Sequence, residues 1–446
     1  MISRLVILLL LPVLLTMGYL ASGEEHIVGI IILAALCIGF FCTVVMKTPV
    51  WGALFLVISL HWFQIEDIYY SLYMLFIAAF VYAMYMFHRG DFKPDRAWYV
   101  AAMSQLAFVA IVYALKPYPV KMMFFYMNVT TFFFFLGSSL IRWDSSRVQN
   151  LLTAHLSYMV IWAFVERAIS SEVRIGGASF SATNFAVLLV VSWTIWLVNG
   201  LLCNKTRRFW LIIMTLLVFL SILFSGTRMG FLGMGLGGVL CILSKQLVVQ
   251  SDRRDRIMGM LPKLAMFTGV FAVLVFVVWN LLPDDLFLKK GFQTLLSGKL
   301  DASSLGRIAA WYTAVTVIPT HPLWGVGPGN FISYNVELLD SFSFIPIVEM
   351  IPRLGHAHNI VLMILADYGC IGAGALLVIC LVCLKRLMAY IRRTGDGFGF
   401  ALLSGGIVMM FLGLFDVFPL FPSSMGWGGW FMSVMFSLRQ GKEPKE

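Results

Sequence analysis

The sequence predicts an all-α, polytopic membrane protein, a bundle of about 12–14 transmembrane helices with one large loop outside the membrane. Of its 446 residues, 60% are hydrophobic and only 12% are charged, about half the charged fraction of an average soluble domain. So many apolar side chains cannot all be buried in one core. The seven Cys residues are spread through apolar stretches, so a disulfide-stapled secreted domain is excluded as well.

Apolar runs long enough to cross about 30 Å of hydrocarbon define the candidate spans. The third and the last are short and are candidates for re-entrant or interfacial segments. The candidate spans are 4–20, 27–46, 49–64, 68–87, 97–115, 122–141, 148–165, 182–203, 209–225, 229–249, 261–282, 358–384, 398–420 and 425–438.

The distribution of positive charge predicts the orientation. About two thirds of the 32 Lys and Arg residues fall in loops on one side if the N-terminus is inside, and cytoplasmic loops accumulate these residues. Both termini are therefore predicted to be cytoplasmic, and the formal charge of +10 faces anionic lipid rather than nucleic acid. A cleaved signal peptide at 1–20 is the alternative to a retained first helix.

Three regions follow from these spans. Residues 1–282 hold transmembrane helices 1–11, residues 283–357 form a periplasmic loop, and residues 358–446 hold the C-terminal transmembrane helices. The loop is too long and too apolar to be a disordered connection. Its apolar residues recur at helical spacing, which predicts short amphipathic helices at the membrane interface. They are Phe287, Leu288, Phe292, Leu295, Leu296, Ile308, Trp311, Tyr312, Val315 and Ile318.

The chain lacks the sequence motifs of ATP hydrolysis, zinc proteolysis and serine hydrolysis. A glycine-rich segment, Gly-Val-Gly-Pro-Gly-Asn at 325–330, resembles a phosphate-binding loop only superficially. No predicted strand precedes it, and Pro328 removes a backbone donor. We interpret it as a tight turn, with a phosphate cradle as the alternative.

Three groups of polar residues fall on the predicted outer side. Arg228 lies between two long apolar spans, where a guanidinium within the membrane costs about 2.5–3.5 kcal/mol on insertion scales. Arg307 lies in the loop, and His356 and His358 precede the next span. Snorkelling of Arg228 and helix capping by the histidines are the alternative explanations. Together, two guanidinium groups can bind a diphosphate and an imidazole can accept a hydroxyl proton. The chemistry indicated is transfer from an anionic lipid carrier.

At these residues the sequence resembles the bacterial O-antigen ligase and polymerase family. The resemblance is strongest at His358-Asn359, followed after nine residues by Gly369 and after two more by Gly372. It covers the C-terminal two thirds of the chain. The other matching segments are Ser-Gly-Thr-Arg at 225–228, Gly306-Arg307 with Trp311, Pro-Leu-Trp-Gly-Val-Gly at 322–327, and Arg-Ile-Gly-Gly at 174–177 with Asn184.

The resemblance implies a GT-C-like fold in the bacterial inner membrane and a glycosyltransferase site on the periplasmic side, with no cofactor and no metal. The donor would be an undecaprenyl-diphosphate-linked glycan, and the acceptor a hydroxyl of a glycan or of lipid A core. Arg228 and Arg307 would hold the diphosphate, with Arg174 as a third contact or as the partner of a glutamate in its own loop. His358 would be the base for an inverting transfer, supported or merely flanked by His356. Asp367, where the family often has Glu, would be structural or support the site indirectly.

Several functions remain open at this stage. Within the family, an O-antigen ligase is favoured slightly over a surface-polysaccharide polymerase, and transfer of a glycan to protein is a third possibility. A transporter of lipid-linked glycans belongs to another class. It is disfavoured because few charged residues fall within the predicted spans and no internal repeat is visible. A purely structural membrane protein leaves the cost of Arg228 unexplained.

Overall fold

A computed structural model describes the site-bearing half of the chain. All the regular secondary structure in its described residues is α-helical, which confirms the all-α prediction. The predicted spans from 4 to 141 and the loop residues 283–301 lie outside the described residues. The structure describes residues 143–169, 174–176, 181–204, 206–249, 302–342, 344, 351–416 and 422–438, with isolated positions at 100, 103 and between 262 and 280.

The described residues contain nine helices, which we number in chain order. They are α1 Ser145–Ile169, α2 Ala182–Leu202, α3 Arg208–Ser225, α4 Arg228–Val249, α5 Ala302–Thr320, α6 Phe331–Ser341, α7 Ile360–Thr394, α8 Gly397–Gly413 and α9 Pro422–Ser437. Five of them, α1 to α4 and α7, are long and apolar enough to cross a membrane, and α8 is a shorter apolar helix. The chain is an all-α polytopic membrane protein.

The predicted spans agree with most of these helices, and two differ at one end. The predicted span 358–384 continues as α7 to Thr394, while the predicted span 398–420 ends with α8 at Gly413. Asp416 was expected within a span but lies beyond the helix. Hydropathy predicts where a helix can enter the membrane, whereas the local end is set by contacts that hydropathy does not contain.

Helix α2 is the centre of the bundle. It packs against α1, α3, α4 and α8, and its residues 185–191 are fully buried. Glycines on α4 allow this close packing, since a Cβ added at Gly233 would lie 2.9 Å from Cγ1 of Val190. Small residues at helix contacts are expected in a membrane bundle, because dispersion contacts must replace the hydrophobic driving force.

The bundle has two distinct ends. At one end, Cys203 after α2 lies close to Asp396 before α8. At the other end, Thr227 before α4 donates to the carbonyl oxygen of Ala182 in α2. The residues that sequence reasoning placed on the outer side all belong to this second end, which we call the site end.

Helix α7 is broken at Gly369, whose φ of 62° and ψ of −170° are not helical. The break exposes two carbonyl oxygens before the glycine and two amide groups after it. Residues 322–327, in the turn between α5 and α6, form hydrogen bonds with all four. The bonds run from Val326 N to Ala366 O (2.8 Å), Gly327 N to Asp367 O (2.9 Å), Cys370 N to Pro322 O (2.8 Å) and Ile371 N to Leu323 O (3.2 Å). The turn therefore completes the broken helix.

The contact between the turn and α7 requires one glycine in the turn and one in α7. Gly325 has a φ of 68°, and a Cβ there would lie 2.6 Å from the carbonyl oxygen of Ala366. A Cβ at Gly369 would meet the backbone of Leu323 and lie 2.5 Å from the nitrogen of Trp324. A side chain at either position would be strained by its φ and would separate the turn from α7.

Helices α5 and α6 form a hairpin that packs on the start of α7. Asn335 of α6 is fully buried and joins three segments. Its Nδ2 donates to Thr313 Oγ1 of α5, and its Oδ1 accepts from the backbone of Leu354 just before α7. The predicted apolar positions from Ile308 to Ile318 lie on α5, which confirms a helix there, while those from Phe287 to Leu296 lie outside the described residues. The placement of this helix at the membrane interface stays a prediction.

Candidate functional site

Arg174 packs on the turn that joins α3 to α4. Its Nε donates to the carbonyl oxygen of Ser225 at 3.0 Å, and its Nη2 donates to Thr227 Oγ1 at 3.3 Å. Gly226 ends α3 with a φ of 62°, a conformation that favours glycine, and the stem of Arg174 lies in van der Waals distance of it. Arg228 follows at once as the first residue of α4.

Three guanidinium groups share one electrostatic environment. Burial, and then the positive charges of Arg228 and Arg307, lower the pKa of Arg174. The arginines thus lie close enough to repel one another, although they come from the loop before α2, from α4 and from α5. The N-terminus of α4 adds positive potential at Arg228. Such a concentration of positive charge favours a polyanionic ligand.

Arg307 is placed by the close approach of α5 to the segment before α7. A Cβ at Gly306 would lie 2.8 Å from Cγ of Pro352, so only glycine lets α5 pack this tightly. Arg307 acts in turn on the histidine segment, because its charge contributes to the low pKa of His356. The guanidinium cluster and the histidines therefore form one continuous site.

His358 and Asn359 begin α7 in an unusual backbone conformation. His358 has a φ of 46°, the one positive φ among the described residues other than glycine. Asn359 caps the helix, since its Oδ1 accepts from Val361 N and Leu362 N at 3.0 Å. Its Nδ2 donates to the carbonyl oxygen of Leu414, just after α8, at 2.9 Å. Asn359 thus attaches the end of α8 to the start of α7.

That attachment brings Asp416 to His358. The Asp416 Oδ1 lies 3.5 Å from the His358 Nδ1, and the Asp416 residue is only 3% exposed. A carboxylate beside Nδ1 favours the tautomer that carries its proton there, which leaves Nε2 as the basic nitrogen. Sequence reasoning missed this role of Asp416. The signal available was an acidic residue near the predicted outer end of a span.

His356 lies beside His358, with ring centroids 4.0 Å apart. Burial, followed by the charge of His358, lowers the pKa of His356 to about 4. The charge of Arg307 also lowers this pKa, whereas the charge of Asp416 raises it. His356 is therefore neutral at pH 7. It can donate or accept a hydrogen bond there without adding to the positive charge of the site.

His356, His358 and Asp416 are also the described residues that could hold a metal ion. Their ligand atoms all lie within 4.8 Å of one another. Neighbouring ligands of a tetrahedral zinc ion at about 2.0–2.1 Å are closer together, at about 3.4 Å. The positive charge of Arg307 also opposes a cation here. The geometry fits a carboxylate and histidine pair better than a metal centre.

The structure brings all five predicted site residues to the site end, namely Arg174, Arg228, Arg307, His356 and His358. Asp367 lies elsewhere, at the break in α7, where it is 1% exposed. Its backbone oxygen binds the glycine turn, while its side-chain Oδ1 has no hydrogen-bond partner among the described residues. The turn itself offers no phosphate cradle at Val326 and Gly327, because α7 carbonyls already accept from both amides.

Comparison with known proteins agrees with the geometry. Residues 213–377 match a protein-family model described as O-antigen ligase. The matched segment contains Arg228, Arg307, His356 and His358, while Arg174 and Asp416 lie outside it. No curated protein matches the chain. This segment of the polytopic membrane protein is therefore similar to the O-antigen ligase family.

Proposed function

We propose that the protein transfers a glycan from an undecaprenyl-diphosphate carrier to an acceptor hydroxyl on the periplasmic face of the bacterial inner membrane. The match of residues 213–377 to a family model described as O-antigen ligase supports a membrane enzyme of surface-polysaccharide glycosyl transfer. The observation that carries the finer proposal is the convergence of three guanidinium groups with a histidine and carboxylate pair at one end of the bundle.

The arginines supply the donor site. Arg228 and Arg307 bind the diphosphate, and Arg174 supports them from the turn at Ser225. Guanidinium groups suit this task because each presents paired donors to phosphate oxygens and stays charged at neutral pH. Their charge also stabilises the diphosphate as it leaves, which is the contribution that a divalent cation makes in other transferases.

His358 is the general base. With Nδ1 beside Asp416, its Nε2 accepts the acceptor hydroxyl proton while that oxygen attacks the anomeric carbon. The carbon–oxygen bond to the diphosphate breaks, and its electron pair remains on the diphosphate. The new bond forms on the face opposite the leaving group, so the configuration inverts. Asp416 stabilises the imidazolium until its proton passes to solvent.

Within this reaction class, we favour an O-antigen ligase acting on lipid A core. The reason is the His358-Asn359 pattern and its spacing to Gly369 and Gly372. A polymerase that joins repeat units uses the same donor chemistry and is the second candidate. The two differ only in the acceptor.

The test supplies the purified full-length protein in nanodiscs with an undecaprenyl-diphosphate glycan and either lipid A core or a second lipid-linked repeat unit. Mass spectrometry of the product separates the candidates. We expect a glycan joined to the core and released undecaprenyl diphosphate, with the same yield in EDTA. Extended lipid-linked glycan would indicate a polymerase. In sealed proteoliposomes, movement of unaltered donor from one leaflet to the other without a new bond would indicate a transporter and defeat the proposal.

A further inference from the structure

The hairpin of α5 and α6 packs along the first part of α7 through one face of α5. Gly306, near the start of α5, packs on Pro352, and Val326 after α5 binds Ala366 within α7. Helix α5 therefore runs in the same direction as the first part of α7. At 1.5 Å per residue, the turn lies about 10 Å below the first residue of α7. The span predicted for α7 begins at residue 358, so that depth falls within the predicted span.

The backbone of the turn supports this placement. Non-helical backbone is stable in hydrocarbon only where protein satisfies its polar groups. The break in α7 does so for the amides of Val326 and Gly327, and the turn binds the amides of Cys370 and Ile371 in return. Asn330 Nδ2 also donates to the carbonyl oxygen of Val326 at 2.7 Å. Such saturation is expected of a re-entrant segment.

One face of the hairpin is apolar and exposed. Ile308, Tyr312 and Val315 of α5 are 46%, 53% and 56% exposed, and Leu323 and Trp324 of the turn are 58% and 46% exposed. The three helical positions share one face at spacings of four and three residues. The opposite face of α5 packs on the bundle through small side chains. We call the five exposed residues the apolar track.

The apolar track begins at the candidate donor site, because Ile308 directly follows Arg307 and the track descends from there. We propose that the apolar track binds the isoprenoid chain of the lipid-linked donor. The inference rests on the proposed function and identifies the path of the lipid. A diphosphate held by Arg307 fixes the origin of its chain, and the chain must enter the outer leaflet from that point. The track offers about 15–20 Å of apolar contact in that direction.

The test measures binding rather than transfer. Undecaprenyl diphosphate and inorganic diphosphate, which share the diphosphate and differ in the isoprenoid chain, are titrated against the full-length protein in nanodiscs. The double variant Tyr312→Ser/Val315→Ser removes two apolar contacts from the track. The matched control is Ile212→Ser/Leu216→Ser, at two residues of α3 that are 60% and 48% exposed.

We expect the track variant to weaken undecaprenyl diphosphate binding about tenfold and to leave inorganic diphosphate binding unchanged. The control should bind both ligands as the wild type does, and thermal melting should show both variants folded. Equal loss in track and control variants would mean that the face contacts bulk lipid only, and would overturn the inference while leaving the proposed function intact. A wild type that binds neither diphosphate would overturn both.

Discussion

The Nδ1 of His358 lies 3.5 Å from the Oδ1 of Asp416, and this contact joins the start of α7 to the end of α8. If the carboxylate orients and stabilises the imidazole, Asp416→Asn should lower kcat about 10–100-fold while the KM for donor stays within about twofold. Steady-state transfer kinetics measure both constants. The matched control is Asp340→Asn on α6, which removes an exposed carboxylate that pairs with Arg353. Equal kcat values for Asp416→Asn and the wild type would exclude the assignment.

Asn359 has two separable roles, helix capping and attachment of α8. Asn359→Ser keeps a good N-cap residue but is too short to reach the carbonyl oxygen of Leu414, which now accepts from Nδ2 at 2.9 Å. We expect the melting temperature to change little and transfer to fall about tenfold, because His358 and Asp416 are no longer held together. Asn359→Ala should also lose about 1 kcal/mol of stability with the cap. Unaltered transfer in Asn359→Ser would show that the attachment is dispensable.

The span positions and several residues of the site end could be predicted from the sequence for clear physical reasons. Hydrocarbon forces the backbone into helices of a minimum length, so apolar runs located α1 to α4 closely. Charge bias predicts the side of each loop, and that orientation stays a prediction. Arg228 could be singled out because a guanidinium near hydrocarbon is costly without an anionic partner.

What could not be predicted depends on contacts between distant segments. Nothing local to Asp416 signals that α8 ends before it or that Asn359 draws it to His358. The glycines at 325–329 indicate a turn, but not that the turn completes the break at Gly369. The apolar residues of α5 have helical spacing, yet the packed face is the one with small residues, because close approach to α7 selects them.

The requirement for glycine at the contact between the turn and α7 can be tested by comparing the stability of variants at Gly325 and at Gly374. Gly325→Ala introduces a Cβ 2.6 Å from the carbonyl oxygen of Ala366 at a φ of 68°, so we expect it to cost about 2 kcal/mol or more of stability and to lower transfer. Gly374, also on α7, has nothing within 4 Å of its Cβ position. Gly374→Ala should be neutral or stabilise the helix by about 0.5–1 kcal/mol. Melting curves in nanodiscs compare them, and equal stability of the two variants would refute the docking argument.

Arg174 is expected to act in donor binding. Arg174→Ala should weaken undecaprenyl diphosphate binding about 5–20-fold, since a charge-assisted contact contributes about 1–2 kcal/mol, and should leave kcat at saturating donor less affected. Arg174→Lys keeps the charge without the paired donors, so its affinity for undecaprenyl diphosphate should lie between those of the wild type and Arg174→Ala. The control is Arg353→Ala, which removes an exposed guanidinium bound to Asp340. Equal affinities for Arg174→Ala and Arg353→Ala would place Arg174 outside the donor site.

The pH dependence of transfer tests the protonation state of His356. Burial first, and then the charge of His358, lower the pKa of His356 to about 4, so His356 is already neutral throughout the range from pH 5 to 8. An acidic loss of activity in that range must therefore come from another group. His356→Gln should therefore leave the midpoint of the acidic limb unchanged, even if the maximal rate falls.

The variant should also lose less stability than the wild type as the pH falls from about 6.5 towards 4. The reason is that only the unfolded wild type gains a proton on this residue over that interval. Initial rates and melting temperatures across the range measure both effects. A midpoint that moves with His356→Gln would show that His356 itself titrates in this range and would contradict its low pKa.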